Sequence, residues 1–321
     1  MQSQRLAYLD QVRGYAIFGM ILVNVLGLFN GIPWMFTHHH EGFSYADHIA
    51  PLFVFIVGMG FRGSFQKTVG FNGLTQARKR AARRYLIICG LGLLYGGFNL
   101  MVSIWDALMD IGISGILALP FMHRSTAVRI AAGCGFLALY QALFSLTGYG
   151  EWVVDNSING GPLGPLSWVF ILFLGSAADD WTRNRSRNAI TTRLFTAAIT
   201  LSLAGWLVRV GWPGLKPVWH FSPYAMTAPY PLYAAGLSFF CILIFYWICE
   251  VWGAQLPLLT PMGKNPLVLY LLQAILVLVA ELLIPDSLGI LPAVGLFMTV
   301  LGICYGAGRY LEIKGRIIKI G

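Results

Sequence analysis

Three adjacent histidines, His38, His39 and His40, lie in the stretch "MFTHHHEGFSYADHIAP" at residues 35–51 and make up half of the chain's six histidines. Histidine is the side chain whose charge changes closest to neutral pH, which makes it the most frequent general base in enzymes. Asp47 follows in the same stretch, near enough in sequence to orient one imidazole. These residue types and their spacing favour acid–base chemistry.

The cluster admits two other interpretations. A metal site would recruit Glu41 and His48, but adjacent histidines do not converge easily on one ion and their spacing matches no standard zinc pattern. A solvated loop with incidental histidines needs no chemistry at all. We predict no bound metal, and the residues alone leave the choice between a base and a solvated loop open.

Strongly polar groups inside apolar segments are costly, so each requires a reason. Asn24 lies within "GMILVNVLGL", where it serves the chemistry or a hydrogen bond between helices. Asp106 and Asp110 are four residues apart, so they share a helical face on which like charges repel. Such a pair keeps one carboxyl protonated or awaits a cationic partner. Asp47 has an alternative role as the N-terminal cap of the helix that follows it.

The elements that must position these residues are membrane helices. Hydrophobic residues form 57% of the 321 residues, charged residues form 11%, and the mean hydropathy is +0.69. Soluble domains carry about 25% charged residues, so this chain cannot cover a globule with polar surface. We predict an all-α polytopic integral membrane protein that forms a single domain over residues 1–321.

Ten apolar segments are long enough to cross a bilayer, which takes about 20 residues of helix. Their apolar runs are continuous, whereas a membrane barrel shows alternating segments of about ten residues. The predicted spans are 14–31, 46–66, 85–104, 106–122, 127–147, 164–181, 190–210, 230–252, 265–284 and 287–308.

The formal net charge is +9, but the basic residues fall in short loops between the spans. Their positions predict the orientation of the spans in the membrane and do not indicate nucleic-acid binding. With the N-terminus in the cytoplasm, most lysines and arginines lie in cytoplasmic segments, and only Arg209 and Lys216 fall clearly outside. An even number of spans and two cytoplasmic termini follow. The histidine loop then lies on the non-cytoplasmic side, as do two turn-rich loops at 148–163 and 211–229.

Several familiar site types are absent from the sequence. The five cysteines lie singly inside apolar spans, so we predict packing roles for them. The Walker phosphate loop and the GxGxxG fingerprint are missing, which argues against a nucleotide-binding domain. The first span shows no clear cleavage site, and we predict that it is retained as a helix.

Four segments carry a resemblance to a known family. The segment "RLAYLDQVRGYAIFGMILVN" (5–24) resembles the opening of membrane acyltransferases. The segments "GFSYADHIAPLFVFIVG" (42–58), "WHFSPYAMTAPYPLYAAGLS" (219–238) and "MGKNPLVLYLL" (262–272) are similar to the heparan-α-glucosaminide N-acetyltransferase-like branch. The matches keep their order from end to end. The resemblance implies transfer of an acetyl group from cytoplasmic acetyl-CoA to an amine or hydroxyl of a sugar on the far side of the membrane.

The resemblance also implies catalytic residues by position. Asn24 matches the asparagine that ends the first-span motif, and Asp47 matches the Ala-Asp pair. Counting ten residues back from Asp47, where the family has its histidine, gives Thr37, one residue before His38. We predict His38 as base or acyl carrier, oriented by Asp47 and assisted by Asn24, with the next two histidines as fallbacks.

The substrates bind elsewhere on the chain in this interpretation. Acetyl-CoA is a co-substrate, and the residues predicted to hold its phosphates are Arg5, Arg80, Arg83 and Arg84. The residues predicted to bind the acceptor are Asp106, Asp110 and Asn265.

Two other classes of function compete with an acyltransferase. A transporter or flippase of a sugar or lipid-linked substrate would favour inverted repeats and broken helices, and no convincing repeat is visible. A non-enzymatic membrane scaffold is the third class. We expect a bacterial cytoplasmic (inner) membrane protein in contact with lipid, and a homodimer is among the assemblies that the sequence allows.

Overall fold

The computed structural model describes residues 6–96, 104–183, 185–209 and 219–318, which are helical and contain no strand. Eight helices in these ranges are long and apolar enough to cross a membrane. The chain is thus an all-α polytopic integral membrane protein. Its helices are α1 (Ala7–Leu26), α2 (Tyr45–Gly96), α3 (Ala107–Ala118), α4 (Thr126–Leu146), α5 (Tyr149–Asn156), α6 (Gly164–Thr182), α7 (Arg187–Arg209), α8 (Pro229–Tyr246), α9 (Leu259–Lys264), α10 (Pro266–Leu283) and α11 (Ile290–Ile313).

Helix α2 contains two predicted spans, 46–66 and the described part of 85–104. Its backbone leaves helical geometry at Gly73, with φ 78° and ψ 168°, a region that glycine enters without steric cost. The rings of Phe61 and Tyr85 lie 4.7 Å apart, whereas 24 residues of straight helix would separate them by about 36 Å. The segment therefore folds back at Gly73, and its two halves account for two spans.

Two other predicted spans differ from the helices found. Helix α1 begins at Ala7 rather than at residue 14, because Arg13 and Asp10 pair at 3.2 Å within one turn and keep the polar segment helical. The predicted span 106–122 corresponds to the shorter apolar helix α3, extended by one turn of 3-10 helix at Leu119–Phe121. The ends of spans 85–104 and 190–210, and residues 211–218, lie outside the described residues.

Contacts group the described residues into two compact units. Unit 1 holds the residues up to His38, then Ser44–Phe53 and those from Cys241 onward, and unit 2 holds His39–Phe43 and Val54–Phe240. The single domain over 1–321 stays a prediction.

Unit 1 is built around α1. A Cβ at Gly14 would overlap the carbonyl of Leu259, and one at Gly263 would overlap the carbonyl of Asp10, so α1 and α9 cross in backbone contact. Glycine at both positions permits that approach, as is common between membrane helices. Gly19 of α1 packs against the Ile49 side chain, and this contact places α1 against the first turns of α2.

Unit 2 is built around α6, whose residues from Ser167 to Asp179 are all buried. A Cβ added to Gly58 of α2 would overlap the Leu172 carbonyl, and a Cβ added to Gly175 of α6 would overlap the Phe55 carbonyl. A helix that is apolar and buried all round is typical of the centre of a bundle.

Candidate active site

The N-terminus of α2 is closed by Ser44 and Asp47. The backbone N–H of Ser44 donates to Asp47 Oδ2 at 2.8 Å, and the N–H of Asp47 donates to Ser44 Oγ at 3.4 Å. This reciprocal arrangement is a capping box with aspartate in place of the usual glutamate. Both residues are buried, at 3% and 1% exposure. A carboxylate is also stabilised there by the helix dipole, so the local sequence fixes Asp47 before any partner is considered.

The second oxygen of Asp47 binds His38. Asp47 Oδ1 lies 2.7 Å from His38 Nδ1, and the carboxylate side chain is fully buried whereas the imidazole is 44% exposed. Because a carboxylate only accepts hydrogen bonds, Nδ1 carries the proton in this pair. The neutral imidazole then presents an unprotonated Nε2, the nitrogen needed for a base or a nucleophile.

Ser44 also fixes the chain just before the histidine. Its hydroxyl donates to the carbonyl of Thr37 at 2.9 Å, while Thr37 Oγ1 donates to the Trp34 carbonyl at 3.2 Å. The ring of Phe36 packs edge-on against Tyr45 at 6.1 Å. Sequence reasoning missed Ser44 and Thr37, although the capping pattern Ser-x-x-Asp was visible in "GFSYAD".

Asn24 lies at the level of this helix start but its amide contacts another helix. The contact of Gly19 with Ile49 sets the register of α1 against α2, and Asn24 is a turn and a half further toward the loop. Asn24 Nδ2 donates to Gln273 Oε1 of α10 at 3.3 Å. The described contacts therefore show a bond between helices, and a role in chemistry stays a prediction.

The other two histidines belong to unit 2. The ring of His40 stacks on Tyr224 with centroids 4.3 Å apart, and the N–H of Gly42 donates to the Phe221 carbonyl at 2.9 Å. His39 also belongs to this segment. The structure pairs His38 with Asp47.

The arginines predicted to bind CoA lie in the second half of α2, apart from Arg5, which lies outside the described residues. Arg80 and Arg83 are exposed, and Arg84 is half-buried with its guanidinium 5.7 Å from the Tyr85 ring centre. Burial and the neighbouring Arg124 and Arg78 lower the pKa of His123, which lies within 3.5 Å of Arg78. This end of unit 2 is therefore strongly basic.

A buried ion network in unit 2 was not predicted. Asp180 accepts hydrogen bonds from Arg62 Nε at 2.8 Å, from Thr126 Oγ1 at 2.7 Å and from Arg129, whose side chain is fully buried. Asp179 pairs with Arg183 at 2.7 Å. Buried charges are tolerated when they are paired in this way, so the network joins α2, α4 and α6.

The three predicted acceptor-binding residues lie in different environments. Asp106 occupies the N-cap position of α3, and Asp110 is fully buried in the same helix. The Asn265 side-chain amide bonds to the backbone near the end of the described chain. It donates to the Arg316 carbonyl at 3.1 Å and accepts from the Ile318 N–H at 2.8 Å. Acceptor binding by these residues stays a prediction.

The described residues contain no group of three or more His, Cys, Asp or Glu side chains that is arranged to hold a metal ion. The site described here thus consists of His38 and Asp47, with Ser44 and Thr37 behind them, all in unit 1.

Comparison with known proteins identifies similar sequences. The family model described as heparan-alpha-glucosaminide N-acetyltransferase, catalytic, matches residues 5–211, which is more than half of the chain. A protein of Bacillus acidopullulyticus, described as an uncharacterized 39.9 kDa protein in amylase 3'region, is 29% identical over 152 residues. That match covers 44% of this chain and 41% of the relative, so the chain spans about two-fifths of the relative's length.

Proposed function

Because the chain belongs to the heparan-alpha-glucosaminide N-acetyltransferase catalytic family, we propose that it transfers an acetyl group from cytoplasmic acetyl-CoA to an amine or hydroxyl of a sugar or glycan on the far side of the membrane. Membership supports a membrane acetyltransferase in general. The observation that carries the specific proposal is the 2.7 Å pairing of His38 Nδ1 with buried Asp47.

The proposed chemistry uses the free nitrogen of His38. Nε2 removes the proton from the acceptor as its nitrogen or oxygen attacks the thioester carbonyl carbon. The carbon–sulfur bond breaks, CoA leaves as a thiolate, and the imidazolium returns the proton to that sulfur. Asp47 stabilises the imidazolium through Nδ1–H, as the orienting carboxylate does in a catalytic triad.

An acyl-carrier route uses the same nitrogen. Nε2 attacks the thioester carbonyl carbon, the carbon–sulfur bond breaks and CoA leaves as a thiolate. The acetyl-imidazolium then passes its acetyl group to the acceptor, whose proton goes to the CoA thiolate, and the neutral imidazole is restored. Both routes need the proton on Nδ1, which the pairing with Asp47 provides. The second N–H of the Asn24 amide, beyond the one bonded to Gln273, is proposed to donate to the thioester oxygen.

The donor side of the proposal rests on charge. The phosphates of CoA are proposed to lie against cytoplasmic arginines, with Arg80, Arg83 and Arg84 from the second half of α2 and with Arg5. Arginine suits phosphate because its planar fork forms paired hydrogen bonds. The proposed location is the bacterial cytoplasmic membrane, with acetyl-CoA and a sugar acceptor as the binding partners.

The test uses purified protein in proteoliposomes. Acetyl-CoA labelled in the acetyl group is supplied on one side and a panel of amino and hydroxyl sugars on the other, and labelled acceptor is then collected. We expect acetylated acceptor to appear only with the protein present. Counterflow of unlabelled sugar without any acetyl transfer would contradict the proposal and favour a transporter.

A further inference from the structure

Asp110 is an isolated carboxyl group in the interior of unit 2. Its side chain lies in the first turns of α3 and is fully buried. In the described residues no donor forms a hydrogen bond of normal geometry with either carboxylate oxygen. The Asn159 amide, which interacts with the Asp110 carboxyl, forms its hydrogen bond of normal geometry with the Trp105 carbonyl at 2.9 Å. Buried polar groups are nearly always paired, so this exception needs a physical explanation.

Three polar side chains near Asp110 have hydrogen-bond partners. Trp168 Nε1 donates to the Asn159 carbonyl at 3.2 Å, and Ser114 Oγ donates to the Pro165 carbonyl at 3.2 Å. The hydroxyl of Tyr149 donates to the Gly160 carbonyl at 2.6 Å. Unpaired buried atoms also occur in the described parts of other helices, at Tyr85, Arg129 and Ser202, but at Asp110 both oxygens of a carboxyl group are unpaired.

A second unpaired group lies on the turn 157–164, which follows α5. The buried Ser157 hydroxyl has no hydrogen-bond partner in the described residues. A Cβ built on Gly161 would lie 3.1 Å from Ser157 Oγ and 3.0 Å from the Tyr149 hydroxyl, while one on Gly164 would lie 3.9 Å from Asp110 Oδ1. The turn 157–164 thus lines both unpaired groups.

The backbone of the turn 157–164 is left-handed at three positions. Three consecutive residues are left-handed, with φ 54° at Asn159, 81° at Gly160 and 58° at Gly161. The two glycines accept this conformation freely, and asparagine is among the residues that adopt it most readily.

We propose that Asp110 and Ser157 bind the primary ammonium group of a small ligand. A buried carboxylate alone is unfavourable, and a cation that donates hydrogen bonds to it removes most of that cost. An ammonium group carries three such donors. This inference rests on unit 2 alone and does not depend on the proposed acetyl transfer.

Charge and aromatic rings at the site favour a cation over a neutral donor. Asp106 adds a second negative charge that acts on Asp110. Tyr140 and Tyr149 also interact electrostatically with Asp110. Cations bind favourably to aromatic faces. A neutral hydroxyl ligand gains from neither feature.

The experiment measures binding of labelled ethanolamine to the full chain in detergent by equilibrium dialysis at constant ionic strength. Ethylene glycol replaces the ammonium by a hydroxyl, and choline keeps the charge but has no N–H donor. We expect ethanolamine to bind about tenfold tighter than either probe, as for hydrogen bonds to a charged group. Equal binding of the three probes overturns the site.

Variants test the residues. Asp110→Asn is expected to abolish the preference for ethanolamine, while Asp155→Asn, an exposed carboxylate on α5, keeps it. Unchanged ethanolamine binding in Asp110→Asn overturns the proposal, because the probe then binds without this carboxylate. Should Asp110→Asn fail to fold, Ser157→Ala serves instead, with a weaker preference expected and an unchanged one contradicting the site.

Discussion

Asp47 uses its two oxygens for different purposes. Oδ2 accepts the Ser44 N–H and closes the N-terminus of α2, while Oδ1 holds His38. The same carboxylate therefore anchors the loop and sets the tautomer of the imidazole. A helix start is a rigid support, which suits a residue that must hold a base in one orientation.

Ser44 provides a test of this anchoring. Ser44→Ala removes the hydroxyl that bonds to the Thr37 carbonyl and caps α2, which costs about 1 kcal/mol of stability. We expect a lower kcat with an unchanged KM, because His38 is held less firmly while the substrates still bind. Steady-state acetyl transfer measures both constants.

Ser44→Thr is the matched control, since threonine keeps the hydroxyl and caps nearly as well. It should restore kcat. A kcat for Ser44→Ala equal to that of wild type would show that Ser44 does not position the site.

The sequence predicted the types of these residues better than their contacts. Asp47 and the histidine cluster were recognisable from composition and order, but the choice of His38 depends on which imidazole reaches Asp47. That depends on the turn at 37–44, whose bond from Ser44 to Thr37 spans seven residues. Periodicity does not describe such irregular loops.

At the scale of elements, glycines set how closely the helices pack. Gly175→Ala places a Cβ against the Phe55 carbonyl, a backbone atom that cannot move aside easily. We expect the free energy of unfolding to fall by about 1–3 kcal/mol, as for overpacked cores. Unfolding in mixed micelles measures the change.

Gly302→Ala is the control for helix propensity, because no atom lies within 4 Å of its added Cβ. This change should stabilise α11 by up to about 1 kcal/mol. Equal effects of the two substitutions would contradict close packing of α2 on α6.

The buried ion network makes a second prediction at this scale. Asp180→Asn leaves Arg129 buried without its charged partner, and Arg62 loses an ion pair. Breaking such a buried pair costs about 3 kcal/mol or more. The thermal unfolding midpoint in detergent should drop sharply, while that of the exposed Asp155→Asn should not. A midpoint unchanged by Asp180→Asn would mean that water replaces the partner.

Helix α2 shows why span prediction was only partly right. Its two apolar segments match the predicted spans, but the polar linker "QARKRAARR" (76–84) between them is helical rather than a loop. Alanine, arginine, lysine and glutamine all have high helix propensity, so the chain needs to leave the helix only at Gly73. The pairing of Arg62 and Arg129 with Asp180 could not be predicted from the pattern of the sequence, because it joins residues that are distant in sequence.

For the whole molecule, the positions of the basic residues predict its orientation. The second half of α2 carries a dense basic run, whereas the histidine loop carries Glu41 and no lysine or arginine. Arg80 and Glu41 are both exposed, so a cysteine in place of either should react with an impermeant maleimide. We expect Arg80→Cys to react from the cytoplasmic side and Glu41→Cys from the opposite side. Labelling of both from one side would contradict the predicted topology.

The measurement that tests the central claim most directly is the initial rate of acetyl transfer in three single variants. His38→Ala should lower the rate by about 10²–10⁴-fold, the usual contribution of a general base. His39→Ala and His40→Ala, neighbours of the same type, should stay close to wild type. Full transfer by His38→Ala, or an equal loss in all three variants, would contradict the assignment of His38 and Asp47 as the catalytic pair.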